Sequence, residues 1–304
     1  MHPPVRLAAI DIDGTLLPSF GYEISRRNLK ALRAAQDAGI AIAIATGRRA
    51  ASTAPLLESL GLRADMPLIT SNGAVTRTLA GEPIDCWTLD ADVARGLCGL
   101  LRGFGALVFT FDRQGRGELV VEDLDRAEGR LKLWAEANRD AIEEVSPLEQ
   151  IFASRGDPIQ GMVAGPMDRM RDAERAFETS QWNSRCECIR TEYPARGLAI
   201  LDLLPSGVSK AAALERLADR LGIGRLETLA IGDNWNDVGM LEWAGQSFVM
   251  SNASRALRSQ AKMRGWKQAP SNDRNGVAVV LESAIARLPR LAAAGQPRLE
   301  GDRV

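Results

Sequence analysis

A chain of 304 residues has room for two domains of ordinary size. Its composition, 45% apolar and 25% charged, is that of a soluble globular protein. A formal net charge of -1, from 38 basic and 39 acidic residues, gives no global field for nucleic acid or an anionic membrane, and no Lys/Arg run supplies a local one.

No stretch approaches the roughly 18 apolar residues of a membrane helix. The first residues lead directly into a strand-like run without the pattern of a secretory leader, so a cytoplasmic location is expected. The cysteines are Cys86, Cys98, Cys186 and Cys188. The Cys186-Glu187-Cys188 spacing is unlike common zinc sites, and reduced thiols are expected. The only histidine is His2, beside an end that is expected to fray. Ser-His-Asp and Cys-His hydrolysis are thereby excluded, as are histidine-based metal sites. Catalysis must rest on carboxylates, lysine, hydroxyls, backbone amides or a metal.

In chain order, Val5 to Ile10 is a short apolar run suited to a strand buried on both faces of a parallel sheet. A helical pattern follows from Ser25 to Ala38, with Leu29, Leu32 and Ala35 at steps of three. Ser25 is its N-cap and Gly39 its stop. Ile40 to Ala45 is a second buried strand, which completes a right-handed βαβ unit. The texture then changes. Between Thr76 and Arg196, strand-like pieces (Leu107 to Phe111, Leu119 to Val121) alternate with helical ones (Leu124 to Asn138, Met167 to Phe177). Trp134 and Trp182 in this stretch read as core packing. The first pattern returns with a helix from Lys210 to Leu221, a strand from Leu226 to Ile231, a helix from Asn236 to Ala244 and a strand from Ser247 to Met250. The expected fold is α/β: a doubly wound parallel sheet, from residues 1–75 plus 197–290, with an inserted α+β domain over 76–196. The Pro-, Arg- and Ala-rich segment 291–304 reads as a mobile tail.

Chemistry-bearing residues fall at strand ends or helix starts, the edge where open α/β sheets bind ligands. Asp11-Ile12-Asp13-Gly14-Thr15 places two carboxylates just past a buried strand, costly unless a cation or donors compensate. A metal would keep Asp11 ionised and nucleophilic, and Asp13 is placed to protonate a leaving oxygen. Thr46-Gly47-Arg48 offers a hydroxyl and free amides to a phosphate oxygen. Lys210 opens a helix, where a cation opposes the dipole unless an anion lies nearby. Asp233 and Asp237, in Gly232-Asp233-Asn234-Trp235-Asn236-Asp237, suit an oxygen-rich magnesium site. Each motif alone also reads as ordinary turn, cap or surface chemistry; their conjunction does not.

Together the motifs resemble those of the haloacid dehalogenase superfamily, in its Cof-type sugar-phosphatase-like branch. The first is Asp11-x-Asp13-Gly14-Thr15-Leu16, the second Thr46-Gly47-Arg48, the third Gly207-Val208-Ser209-Lys210 and the fourth Gly232-Asp233-x-x-Asn236-Asp237-x-x-Met240-Leu241. Ser71-Asn72-Gly73-Ala74 and Asn275-Gly276-Val277-Ala278 match secondary signatures, and the resemblance covers about residues 5 to 287. Ser251, before Asn252-Ala253, stands where the family usually has Gly, and Trp235 is bulky at a position often small.

The resemblance implies a phosphomonoester hydrolase for a small phosphorylated metabolite. Asp11 would be the nucleophile that forms an aspartyl phosphate, and Asp13 the acid, then the base. Thr46, the Gly47 amide, Lys210 and the Asn236 amide would hold phosphoryl oxygens. Mg²⁺ would sit on Asp11, Asp233 and the Asp13 carbonyl, with Asp237 in support. Residues 76–196 would be a cap, hinged near Gly73-Ala74 and Ala195-Arg196-Gly197, whose arginines and aromatics face the leaving group. No nucleic acid or membrane partner is implied. A mutase of the same superfamily is the alternative. An aspartyl-phosphate receiver is disfavoured by the large insertion and the Asp-x-Asp pair, and a dinucleotide oxidoreductase by the lack of G-x-G-x-x-G after the first strand.

Overall fold

The computed structural model describes residues 3–58, 60–122, 124, 129–193 and 197–289. His2, Ala195, Arg196 and the 291–304 tail lie outside the described residues, as do 125–128 of the expected Leu124–Asn138 helix. The strands are β1 (Leu7–Ile10), β2 (Ala41–Ala45), β3 (Pro67–Thr70), β4 (Val75–Thr78), β5 (Pro83–Cys86), β6 (Ala106–Thr110), β7 (Leu119–Val121), β8 (Ile142–Glu144), β9 (Gln160–Pro166), β10 (Cys186–Tyr193), β11 (Leu198–Pro205), β12 (Thr228–Gly232), β13 (Gln246–Met250) and β14 (Lys267–Ala269). The α-helices are α1 (Arg26–Asp37), α2 (Ala50–Glu58), α3 (Ala91–Leu101), α4 (Gly129–Ala137), α5 (Ile151–Arg155), α6 (Met167–Glu178), α7 (Lys210–Leu221), α8 (Val238–Trp243), α9 (Arg255–Met263) and α10 (Gly276–Ile285). Among the described residues no helix is long and apolar enough to cross a membrane.

The first sheet has eight strands in the order β14-β13-β12-β1-β2-β3-β4-β5. β14 to β3 are parallel; β4 and β5 add antiparallel at the edge. The unbroken apolar runs of β1 and β2 follow from their place at its centre. Ala8, Ile10, Ile42 and Ile44 pack on one face with Leu32 of α1 and Leu281 of α10. Leu7, Ala9, Ala43 and Ala45 pack on the other with Leu214 of α7, Leu241 of α8 and Leu257 of α9. Both faces are covered, so no period-2 alternation is visible in sequence. Ser25 caps α1 as expected, its Oγ accepting from the Asn28 amide at 3.1 Å.

The second sheet has six strands in the order β10-β11-β9-β6-β7-β8. Val93 and Leu97 of α3, Phe152 of α5 and Met170 and Phe177 of α6 pack on one face, against Phe109, Val163 and Leu201. Trp134 and Trp182 pack against the two apolar clusters of this sheet, as their composition predicts.

Sheet membership moves the expected boundaries of the insertion at both ends. Val75 to Cys86 belongs to the first sheet, because β4 pairs with β3 and continues that sheet (Ile69 opposite Thr76). Leu198–Pro205, expected in the core, pairs antiparallel with β9 and β10, and its Ala199, Leu201 and Leu203 feed the second core. The strand expected from Leu226 starts instead at Thr228, because Leu226 lies in a 3₁₀ turn, exposed at 58%. The helix expected from Asn236 begins as a 3₁₀ turn over Trp235–Asp237 and becomes α-helical at Val238.

The two layers meet through polar and apolar contacts. Arg49, just before α2, pairs with buried Glu118 of the second layer at 2.5 Å and donates to Asn138 Oδ1 at 2.5 Å. Burial raises the Glu118 pKa above its ordinary value, and the charge of Arg49 opposes that rise. Ala74 and Val75 of the first layer share a small apolar cluster with Ile159, Leu204 and Val208.

Candidate active site

Parallel pairing of β12, β1 and β2 in register brings the residues that follow them together at one edge. Asp11 leaves β1, Thr46 leaves β2 and Asp233 leaves β12. Lys210 is the first residue of α7, whose N-cap Ser209 accepts from the Ala212 amide at 3.1 Å. The Lys210 ammonium donates to Asp11 Oδ1 and to Asp237 Oδ1, both at 2.7 Å. Lys210 is 1% exposed, Asp237 0% and Asp11 5%, so this is a buried charge triad, not a surface pair. Asp237 Oδ2 accepts from the backbone amides of Asp233 at 2.9 Å and Asn234 at 3.0 Å. Thr15 Oγ1 donates to Asp233 Oδ1 at 3.1 Å.

Two acids here are short of compensation. Burial, then the charge of Asp237, pushes the Asp11 carboxyl up to about 7, with Lys210 pulling it down. Burial, with Asp11 and Asp237, raises Asp233 well above its ordinary value. Burial works against the Lys210 charge, yet Asp11 and Asp237 hold its pKa above that of an ordinary lysine. Carboxylate oxygens of Asp11, Asp233 and Asp237 lie within 4.8 Å of one another. An all-oxygen donor set with excess negative charge fits a hard divalent cation such as Mg²⁺. Both oxygens of Asp237 are already engaged, by Lys210 and by the two amides, which leaves Asp11 and Asp233 as the side chains free to ligate.

The carboxylate of Asp13 is held away from that cluster. Arg48 grips it with both arms, Nε to Oδ2 at 2.6 Å and a terminal nitrogen to Oδ1 at 2.5 Å, and the Arg48 guanidinium stands 5.9 Å over the Tyr22 ring. Asp13 is the more accessible acid, its side chain 40% exposed. Thr46 is buried and its Oγ1 accepts from the Arg48 amide at 3.2 Å, leaving the hydroxyl hydrogen to donate elsewhere. Asn236 donates through Nδ2 to Asn72 Oδ1 at 3.1 Å. From Asn236 a groove runs past Trp235 to Ile189 and Glu187 of β10.

Gly14 has φ +81°, and a Cβ there would run into the Asp233 carboxylate. Gly14→Ala is therefore expected to cost about 1–2 kcal/mol of stability. By displacing a site carboxylate it should also lower turnover on the order of a hundredfold. Melting curves and rate measurements that match the parent protein would refute this account of the turn.

A model of the haloacid dehalogenase-like hydrolases matches residues 8–281, which span both layers and all the strand-end acids. The chain belongs to this family. Among curated relatives, the 5-amino-6-(5-phospho-D-ribitylamino)uracil phosphatase YwtE of Bacillus subtilis is 27% identical over 300 residues, covering 93% of this chain and 99% of that protein. The HMP-PP phosphatase of Escherichia coli O8 is 28% identical over 265 residues, covering 84% and 87%. A solved haloacid dehalogenase-like hydrolase from B. subtilis superposes with a TM-score of 0.74 at 26% identity, covering 91% of this chain and 99% of that one.

Every site residue expected from sequence lies in this hydrolase's strand-edge cluster or its immediate rim, with Asp13 on the Arg48 side. Sequence reasoning missed several partners. Arg48 was visible in Thr46-Gly47-Arg48, but nothing in the string says that it reaches Asp13. Thr15 supports Asp233. Asn252 donates to the Gly14 carbonyl at 2.7 Å and accepts from the Asn272 amide at 3.0 Å, tying down the first turn. Asp202 joins the site through Asn72 at 2.9 Å. Glu118 and Asn138, the partners of Arg49, carried no signal at all. The cysteines are free, and burial pushes Cys98 and Cys186 up to about 12, as inert core thiols.

Proposed function

We propose that this phosphatase hydrolyses a small phosphomonoester, a sugar phosphate or a phosphorylated cofactor or its precursor, through an aspartyl phosphate on Asp11 with Mg²⁺. The observation that carries the reading is the buried Asp11–Lys210–Asp237 triad beside Asp233, with a second, accessible carboxylate two residues along the chain. The names of the relatives, phosphatases of phosphorylated metabolites, agree with it.

In the first step Asp11 Oδ attacks phosphorus, the bond to the ester oxygen breaks, and Asp13 gives that oxygen its proton. In the second Asp13 takes a proton from water, the resulting hydroxide attacks phosphorus, and the acyl phosphate breaks to free Asp11 and inorganic phosphate. Arg48 occupies both oxygens of Asp13, so proton transfer to the leaving group requires this pair to open as substrate enters. Lys210, the Thr46 hydroxyl, the Gly47 amide and the Asn236 amide would neutralise and orient the equatorial oxygens. Asp237 holds Lys210 in place. Asp11, Asp233 and the Asp13 carbonyl would hold the magnesium, whose positive charge offsets the repulsion between a phosphate dianion and an anionic nucleophile. The second layer would serve as the cap that selects the leaving group.

The test is inorganic phosphate release from a panel of small phosphomonoesters, with Mg²⁺ and with EDTA. Metal-dependent release is expected, falling about 10²- to 10⁴-fold in Asp13→Asn. Failure to release phosphate from any ester, or release indifferent to EDTA, would sink the reading.

A further inference from the structure

Asp202 is a carboxylate on β11 of the second layer, 6% exposed. Its oxygens take amide N–H groups: Asn72 Nδ2 reaches Oδ2 at 2.9 Å, and Gln160 Nε2, from β9, reaches Oδ1. Burial pushes its carboxyl up to about 7 against the pull of these hydrogen bonds, so keeping an acid at this position carries a cost. Asn72 is wholly buried in the first layer, at φ 51°. Its backbone amide donates to the Thr46 carbonyl at 3.0 Å and its Oδ1 accepts from Asn236 Nδ2 at 3.1 Å. A Cβ on Gly47 would come within 3.1 Å of that same Oδ1. Asn72 therefore bonds directly to one group assigned above to the phosphoryl oxygens, the Asn236 amide, and lies against the backbone of two others, Thr46 and Gly47.

We propose that Asp202 is a positioning residue that fixes the side-chain amide of Asn72 and, through it, the amide of Asn236 in the orientation that donates to phosphate. Polarity sets the orientation of both amides. Both oxygens of Asp202 already accept an N–H, from Asn72 and from Gln160, so the carboxylate offers Asn72 no donor, whereas an amide presents a donor on one side and an acceptor on the other. Asn72 must therefore turn its nitrogen to Asp202, which leaves its oxygen for Asn236. Asn236 must in turn offer nitrogen to Asn72, and the second hydrogen of that nitrogen is left for the substrate. Without the carboxylate, both amides could rotate by half a turn, and Asn236 would then set its oxygen against a phosphoryl oxygen. The cost of burying Asp202 is explained if it selects one of two otherwise similar amide arrangements.

This inference rests on the phosphate role given to Asn236, so its test uses binding as well as turnover. The probe is inorganic phosphate, titrated by calorimetry in the presence of Mg²⁺ into the parent protein, Asp202→Asn, Asn72→Gly and the double variant. Glycine adopts the Asn72 backbone conformation freely, so that variant adds no backbone strain at φ 51°. Each single variant is expected to bind phosphate roughly ten- to a hundredfold more weakly. KM for the best ester should rise by a similar factor, with a smaller change in kcat. The double variant should match Asn72→Gly, because Asp202 acts only through Asn72. Parent-like phosphate affinity in either single variant, or losses that multiply in the double, would overturn the proposal. If Asp202→Asn does not fold, parent-like affinity in Asn72→Gly still overturns it. If the parent hydrolyses no ester and the single variants nevertheless bind phosphate more weakly, the relay stands and the hydrolase reading falls.

Discussion

Asp11→Asn should abolish phosphate release, by at least about 10⁴-fold, while the protein stays folded. The size follows from the role proposed for Asp11, the nucleophile itself. Asp237 has both oxygens engaged and Asp13 is gripped by Arg48. The stability of this variant is a separate check on the electrostatics. The Asp11 carboxyl ordinarily titrates at 3.8 and is raised to about 7 in the fold, first by burial and then by Asp237. An acid with a raised pKa holds its proton more tightly folded than unfolded, so its ionisation removes stability as pH climbs between those two values. The melting temperature of the metal-free protein should therefore fall from pH 4 to pH 7. It should fall less in Asp11→Asn, and a residual slope will remain from Asp202 and Asp233, which burial raises in the same direction. Identical slopes in parent and variant would show that Asp11 is not the strained group.

Lys210→Met should be the most damaging change to the folded protein. It leaves Asp11 and Asp237 buried at 5% and 0% exposure without their shared cation. Breaking a buried pair from one side costs about 3–5 kcal/mol, which lowers the melting temperature on the order of 10 °C for a domain of this size. Phosphate release should disappear as well, because the same ammonium is placed to neutralise the phosphoryl group. Asp11→Asn in the Lys210→Met background should recover part of the lost stability, since it removes one of the orphaned charges. A Lys210→Met protein that melts like the parent would mean that the triad contributes nothing net. One that melts lower yet still turns over would confine Lys210 to a structural role.

The residues assigned to chemistry were legible because they stand next to strands whose own signal is strong. β1 (Leu7–Ile10) and β2 (Ala41–Ala45) lie at the centre of the sheet, read as unbroken apolar runs, and deliver Asp11 and Thr46 to one edge by simple parallel pairing. The insertion boundaries were not legible in the same way. β4 is Val-Thr-Arg-Thr and β5 is Pro-Ile-Asp-Cys, edge strands with little apolar character, and only the pairing with Pro67–Thr70 assigns them to the first sheet. β11 has the apolar texture of a core strand because its Leu201 and Leu203 are core residues, but of the other core. Side-chain partners at long separation were the least accessible: Arg48 to Asp13, Arg49 to Glu118 and Asn72 to Asp202 are set by where loops end in space, and residue type does not encode that.

The membership of β11 in the second sheet bears on how this protein can be re-engineered. The strand runs to Pro205, and Lys210 follows after a four-residue connection, Ser206 to Ser209. Asp202, the anchor for Asn72, lies on that strand as well. The second layer is thus not a cassette that lifts out at Gly197. If the second layer selects the leaving group as proposed, a chimera that exchanges it should be spliced after Cys86 and at Ser206, where one sheet ends and the other begins, and the proposed role of Asp202 requires an acid at that position. A graft cut at the sequence-apparent boundary would take half of a strand pair with it and would leave the lysine hanging from a foreign edge.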